Sequence, residues 1–259
     1  MEYILYSAMN GISYITLNND GKSNSLNLQM LDELTEAVIR AGKEKSRVIV
    51  IRANQGAKVW CAGLRIDQLP SPASDPVPYE YALEKTLKTI ERFEGAVIGM
   101  IEGSVWGGGC ELAFACDILV GTPAASFAIT PARIGAPYNP NQVNRVLQRV
   151  GSNTAMEMFF TGDTIDAKRA YELGILNHVV NPGNIQSFTG TLSGKIVKNA
   201  PLVISLIKYQ VHRLAEKSVE QVSNDPYNRK LIEKIYYGSD FEEGKKAFIE
   251  KREAVFKGE

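Results

Sequence analysis

Three consecutive glycines, Gly107-Gly108-Gly109, stand between the apolar run Ala96-Val-Ile-Gly-Met-Ile-Glu102 and a stretch of small and apolar residues over 110–115. The run before them has the composition of a short buried strand, and the stretch after them that of a tightly packed helix. A strand passing into a helix across three glycines constrains the chain strongly. The turn can use backbone angles closed to other residues, and it lets a ligand approach the main chain closely. The first amide N–H groups of a helix lack partners, and the dipole there favours negative charge. Such a junction suits a phosphate, a carboxylate or a transient oxyanion. It equally suits a tight turn that binds nothing.

A second junction of the same kind lies upstream. Residues 47–52 read as a buried strand bracketed by charge, and 53–67 lead through a short apolar strand to Ala62-Gly63, with a helical turn expected after it. Before that, two alternating runs flank Asn10-Gly11, a hairpin signal, and 27–40 has helical spacing with Asn27 as its cap. Residues 70–78 hold four of the eleven prolines and read as an irregular surface loop, with a helix over 81–93. Strands are expected at 118–121, 125–129 and 176–180. A rigid loop is expected at 130–140, and helices at 141–149, 153–160 and 166–173. From Phe188 onward the pattern is nearly all helical. Strands alternating with helices predict an α/β fold with functional turns at strand ends. A soft boundary near residue 190 separates a core, 1–190, from a helical region, 191–259, too small for an independent core.

The balance of charge excludes some functions. Lys plus Arg and Asp plus Glu both number 29, so no global field draws the chain to nucleic acid or to an anionic membrane. No apolar run reaches membrane-spanning length, so the expected location is the cytoplasm. The three cysteines, Cys61, Cys110 and Cys116, suggest reduced thiols, and the two histidines, His178 and His212, lack ligand partners at metal spacing. No metal site is expected, and no serine–histidine–acid triad.

Five segments, in order along essentially the whole chain, resemble the crotonase (enoyl-CoA hydratase/isomerase) superfamily. They are Lys58-Val-Trp-Cys-Ala-Gly-Leu-Arg-Ile-Asp67, the glycine junction extended back to Ile101-Glu102, Phe127-Ala-Ile-Thr-Pro-Ala-Arg-Ile-Gly135, Ala170-Tyr-Glu-Leu-Gly-Ile-Leu-Asn-His-Val-Val180 and Phe241-Glu-Glu-Gly-Lys-Lys-Ala-Phe-Ile-Glu-Lys-Arg252. The resemblance implies a crotonase-like spiral of ββα units, C-terminal helices that mediate trimer formation (trimers or dimers of trimers), and acyl-CoA substrates without a separate cofactor. It also implies that the backbone N–H groups of Leu64 and Gly108 hold a thioester oxygen. Ala62, Arg65, Ile66, Gly107, Thr130 and Pro131 would then be substrate-binding positions. For the CoA moiety it points to Phe248 and Lys251, reaching the nucleotide of a neighbouring subunit, with Lys22 as a further phosphate contact. Trp60 and Trp106 read as core or wall residues. Arg65 could meet the CoA phosphates or lie in solvent.

The carboxylates discriminate among reactions. Hydratases of the superfamily use two glutamates; the first is matched by Glu111, whereas the second position falls on Pro131, which cannot move a proton. Glu111 itself stands open as a catalyst or as an orienting ion-pair partner. Thr130-Pro131 with Gly135-Ala-Pro-Tyr-Asn139, Gly103-Ser-Val-Trp-Gly-Gly108 and Asp67-Gln-Leu-Pro-Ser71 is similar to the methylmalonyl-CoA decarboxylase branch. Decarboxylation needs an aligned carboxylate, an oxyanion hole and a dry pocket, but no general base. The resemblance gives Tyr138 the task of orienting that carboxylate; the plainer reading is a tyrosine packed at the pocket wall. Leu64 departs from the branch, which has histidine there, and Arg65 departs from the aspartate frequent in the wider family. The expected function is decarboxylation of methylmalonyl-CoA or a related malonyl thioester. The alternatives are isomerisation or atypical hydration of an enoyl-CoA using Glu111, or a non-catalytic acyl-CoA-binding subunit.

Overall fold

The computed structural model describes residues 1–65 and 77–259. It opens with the expected hairpin, β1 (Ile4–Met9) and β2 (Ile12–Leu17), joined by Asn10 and Gly11 at φ 53° and 75°. That pair of left-handed residues gives the turn whose twist matches the strands. Helix α1 (Leu28–Lys43) is capped by Asn27, whose side chain accepts from the Met30 N–H at 2.7 Å. Strands β3 (Val48–Ala53) and β4 (Val59–Cys61) follow, then α2 (Val77–Glu91), β5 (Ala96–Ile101), β6 (Ser104–Trp106) and α3 (Gly108–Phe114). Next come β7 (Ile118–Gly121), β8 (Ser126–Ala128), α4 (Pro131–Ile134), α5 (Pro140–Val150), α6 (Ser152–Thr161), β9 (Ile165–Asp166), α7 (Ala167–Glu172) and β10 (His178–Val179). The chain ends in helices α8 (Ile185–Val197), α9 (Pro201–Leu214), α10 (Val219–Ser223), α11 (Pro226–Tyr236) and α12 (Ser239–Glu250).

From β3 to β8, successive strands feed two sheets alternately. One has six strands in the order β1-β2-β3-β5-β7-β10, parallel except for the first pair; the other has four, β4-β6-β8-β9. The first unit, β1-β2-α1, places both strands in the large sheet; the next three, starting at β3, β5 and β7, each give one strand to each sheet and then pass into helix, which is the ββα spiral expected from the resemblance. The main core includes Ile49, Ile51, Val105, Leu112 and Phe127, with the inner faces of α1 and α2. A smaller cluster lies on the other face of the large sheet, around Val50, Ile98 and Val120, and is covered by α8.

Several sequence expectations shift. Pro78 belongs to the first turns of α2, where a missing N–H costs nothing, and not to an irregular loop. The Pro131 ring likewise starts a short helix, α4, inside what reads as a rigid loop. Two strands were not expected, β6 inside the glycine junction and β9 at Ile165; each has three residues or fewer, too short for a periodic signal. The helical turn expected after Gly63 is, at Leu64, a parallel β-bridge to Leu26. Residue 190 falls inside α8, which packs on the sheet.

The C-terminal helices are tied to the sheet by buried charge. Lys208 on α9 donates to Ile90 O, Gly95 O and Asp117 Oδ2 (2.9 Å). Arg47 at the start of β3 donates to the carbonyls of Val197 and Phe256. No described helix is long and apolar enough to cross a membrane.

Candidate active site

The two glycine junctions meet. Gly63 has φ +81°, and a Cβ built there would stand 2.5 Å from Trp106 O and 2.9 Å from Gly108 N. A Cβ on Gly108 would stand 3.5 Å from Leu64 N. The amides of Leu64 and Gly108 therefore belong to one close backbone contact that only a glycine at 63 allows. Local bonding explains why both amides are spare. In the Leu26–Leu64 bridge it is the Gly63 carbonyl and the Arg65 N–H that bond Leu26, at 2.8 and 3.4 Å. Gly108 is the first residue of α3, so its N–H has no intrahelical acceptor. Among the described residues, neither amide meets a backbone acceptor. Gly107 at φ +49° turns the chain from β6 into α3, its own N–H held by Ala128 O.

Neighbouring segments fix this junction. The Ala62 N–H donates to Ser23 O, which places the turn carrying Lys22, itself exposed, beside the end of β4. Gly109 abuts Cys61, whose carbonyl oxygen would lie 2.6 Å from an added Cβ. Leu64 and Arg65 are half-buried, and Leu64 packs on the main core, so apolar bulk does stand beside the junction. Ile66 and the 67–71 motif lie outside the described residues. Trp60 is a core residue, fully buried, and Trp106 is half-buried.

One turn into α3, Glu111 is 1% exposed. Its Oε1 accepts from Gln142 Nε2 at 3.0 Å and its Oε2 meets Arg145 Nη1 at 3.4 Å. Burial pushes its carboxyl pKa up to about 7, against the pull of Arg145 and Gln142; the nearby charge of Glu84 adds to the rise. Tyr138 comes from the loop between α4 and α5. Its ring packs edge-on against Phe159, with centroids 5.3 Å apart, and against the main core. Its hydroxyl lies within electrostatic reach of Glu111. Burial, then the Glu111 charge, raises the phenol pKa well above its ordinary value. Tyr138 is thus both packed and coupled to the buried acid, so the two sequence readings of it do not exclude one another. Thr130 directly precedes α4, without a side-chain capping bond, and Pro131 is buried at its first position.

Phe248 and Lys251 lie elsewhere. Phe248 is 86% exposed on α12, and it borders an apolar groove of about 420 Å³ with Leu202, Val203 and Phe241. Lys251 ends that helix in a left-handed conformation. A cavity of about 640 Å³ between α2, α5 and α9 is lined by Arg145, Arg149, Lys208 and His212 among others, and none of the junction residues is among its described lining.

Gln142 and Arg145 were not anticipated from the sequence. They lie more than thirty residues from Glu111, and only their spacing on α5, i and i+3 on one face, hinted at a shared task.

The sequence profile of the enoyl-CoA hydratase/isomerase family matches residues 7–259. The chain belongs to that family. Among its relatives, methylmalonyl-CoA decarboxylase of Escherichia coli (strain K12) is 33% identical over 259 residues, 99% of this chain and 98% of the relative. The crystal structure of a methylmalonyl-CoA decarboxylase complexed with 2S-carboxypropyl-CoA superposes with a TM-score of 0.80 at 32% identity, covering 100% and 99% of the two chains. An enoyl-CoA hydratase/carnithine racemase from Magnetospirillum magneticum reaches a higher TM-score, 0.92, at a lower identity of 27%, covering 100% and 97%. Backbone shape and sequence thus rank the two kinds of crotonase differently. Because the family shares one backbone, overall shape says least about which reaction is run, and the residues at the site say more.

Proposed function

We propose that this crotonase-family protein decarboxylates methylmalonyl-CoA, or a related malonyl thioester, to propionyl-CoA and carbon dioxide. One observation carries the reading: Pro131, buried at the start of α4, stands where hydratases of the family place their second glutamate, while the Leu64–Gly108 junction is intact. In this reading the thioester oxygen is held by the N–H groups of Leu64 and Gly108. The bond from C2 to the carboxylate breaks, carbon dioxide leaves, and the electron pair passes into the thioester as an enolate. A proton then adds at C2. Fixed donors of this kind each contribute roughly 2.7–4 kcal/mol to an oxyanion transition state. Tyr138 orients the departing carboxylate, and its raised pKa keeps it a hydrogen-bond donor at neutral pH. The chemistry calls on no metal or prosthetic group. Ala62, Gly107 and Thr130 lie around the acyl group. Lys22, with Phe248 and Lys251 of a neighbouring copy, meets the CoA moiety in a trimer or dimer of trimers in the cytoplasm. Exposed apolar residues on the C-terminal helices, Ile207, Val211 and Ile249 among them, support such an assembly.

Incubation with methylmalonyl-CoA, followed by mass spectrometry, should give propionyl-CoA with release of carbon dioxide; no product at high enzyme concentration overturns the reading. Tyr138→Phe should retain the fold, since the ring contact with Phe159 stays, and should lower kcat by about tenfold to a hundredfold. An unchanged kcat returns Tyr138 to the pocket wall. A second reading is isomerisation or atypical hydration of an enoyl-CoA, favoured by the buried Glu111 with a pKa of about 7, well suited to proton transfer. Turnover of crotonyl-CoA, lost in Glu111→Gln, would select it.

A further inference from the structure

One arginine faces three carboxyl groups. Arg145, 8% exposed on α5, sends Nε to Glu91 Oε1 at 2.7 Å, Nη2 to Glu84 Oε2 at 3.3 Å and Nη1 to Glu111 Oε2 at 3.4 Å. Glu84 and Glu91 lie on α2 and retain 18% and 23% of their exposure, against 1% for Glu111. Lys88 gives Glu84 a further partner at 3.2 Å. Arg145 is shared among all three, whereas Glu84 and Glu91 also keep solvent and Glu84 has Lys88; Glu111, the best buried, is therefore the one whose charge costs most and that most readily takes a proton. Among the described residues, the other titratable groups felt by Glu111 or its neighbours are Tyr138 from the loop, Cys110 on α3 and Cys61 on β4.

The same helix fixes the geometry. The Asn139 N–H donates to Gln142 Oε1 at 2.8 Å, and the Gln142 N–H donates back to Asn139 Oδ1 at 3.1 Å, a reciprocal cap at the start of α5. With its oxygen engaged there, the Gln142 amide turns its NH2 group to Glu111. Asn139 follows Tyr138 directly. The first two turns of α5 therefore anchor the tyrosine loop and both oxygens of the buried acid together.

We propose that Arg145 is a positioning residue acting through Glu111: divided among Glu84, Glu91 and Glu111, it sets the charge that Glu111 presents beside Tyr138, and with Gln142 it holds the carboxyl group in place. The proposal rests on the preceding reading only in taking Glu111 to border the reacting acyl group.

The test uses two substitutions with opposite expected signs. Glu84→Gln removes a like charge and frees one Arg145 nitrogen, so the Glu111 titration midpoint should fall by about one pH unit; Arg145→Gln removes the counter-charge, so it should rise by about one unit or more. Carbon-13 NMR of glutamate-carboxyl-labelled protein reads this directly, with the Glu111 signal identified by its loss in Glu111→Gln. The pH profile of turnover on methylmalonyl-CoA and crotonyl-CoA should move in the same two directions. A network that merely braces the fold would lower stability without opposed shifts. An unmoved midpoint, or shifts of the same sign, overturns the proposal. Should Arg145→Gln fail to fold, Arg145→Lys keeps the charge but not the fork: the midpoint should stay near that of the unaltered protein while kcat falls about tenfold at constant KM. An unaltered kcat there overturns the positioning role. Opposed NMR shifts in a protein that turns over neither thioester would uphold the charge assignment and sink the decarboxylase reading.

Discussion

Gly63→Ala should lower turnover of the acyl-CoA substrate by about a hundredfold or more, although residue 63 contributes no side chain to the site. The methyl group would enter a space bounded by backbone, 2.5 Å from Trp106 O and 2.9 Å from Gly108 N, and neither atom can rotate away as a side chain would. Residue 63 would also have to adopt φ +81°, which costs a non-glycine residue about 1–3 kcal/mol. The junction would open, separating the two amides proposed to hold the thioester oxygen. Gly174→Ala, outside the candidate site, supplies the comparison. Its φ of +76° is strained as well, yet nothing lies within 4 Å of the added Cβ. It should lose stability by a similar strain term while retaining much more activity. Steady-state kinetics and thermal melts on the two variants separate distortion of the amide pair from backbone strain; equal activity losses would refute the distinction.

The largest loss of stability should come from Lys208→Met, about 3–5 kcal/mol in urea unfolding at fixed protein concentration near pH 7. The ammonium is nearly enclosed and bonds two carbonyls and Asp117, so its removal leaves a largely buried carboxylate with the His212 ring at 3.9 Å and the Arg149 guanidinium within electrostatic reach. Burial acts to raise the Asp117 pKa, but the bonds from His212, Lys208 and the Val97 N–H prevail and hold it below the usual carboxylate range. A depressed folded-state pKa contributes stability above the unfolded value, near 3.8, and that contribution is lost as pH falls through the folded one. The difference between the unaltered protein and the variant should therefore be full at neutral pH and narrow below about pH 4. A difference independent of pH across this range would assign the loss to packing alone.

The sequence displays the elements whose signals are local. Asn10-Gly11 marks the hairpin, Asn27 the start of α1, and the apolar runs before each glycine turn mark β3 and β5. The glycines at 63 and 107–109 announce close backbone contact, but not that the two turns contact each other; that follows only from the pairing of β4 with β6. Strands as short as β6 and β9 escape periodicity because two or three residues cannot show a period. At the site, Glu111 is visible from its spacing after Gly108, whereas its partners are not. Gln142 and Arg145 come from an amphipathic helix whose polar face resembles any solvated one until the fold buries it. Pro131 is the reverse case: a single residue type, readable without structure, that cannot itself transfer a proton.

The three cysteines give the protein a further practical property. Cys61, Cys110 and Cys116 are closed off from solvent, and burial pushes the first and last to about pKa 12 and the middle one higher still. With almost no thiolate present at neutral pH, the native surface is silent toward alkylating reagents. A thiol introduced by Phe248→Cys would then be the sole attachment point for a spin or fluorescent label. The spacing between such labels would test the proposed assembly: in a trimer or dimer of trimers it would report the distance between α12 helices of different copies, and a monomer would give none.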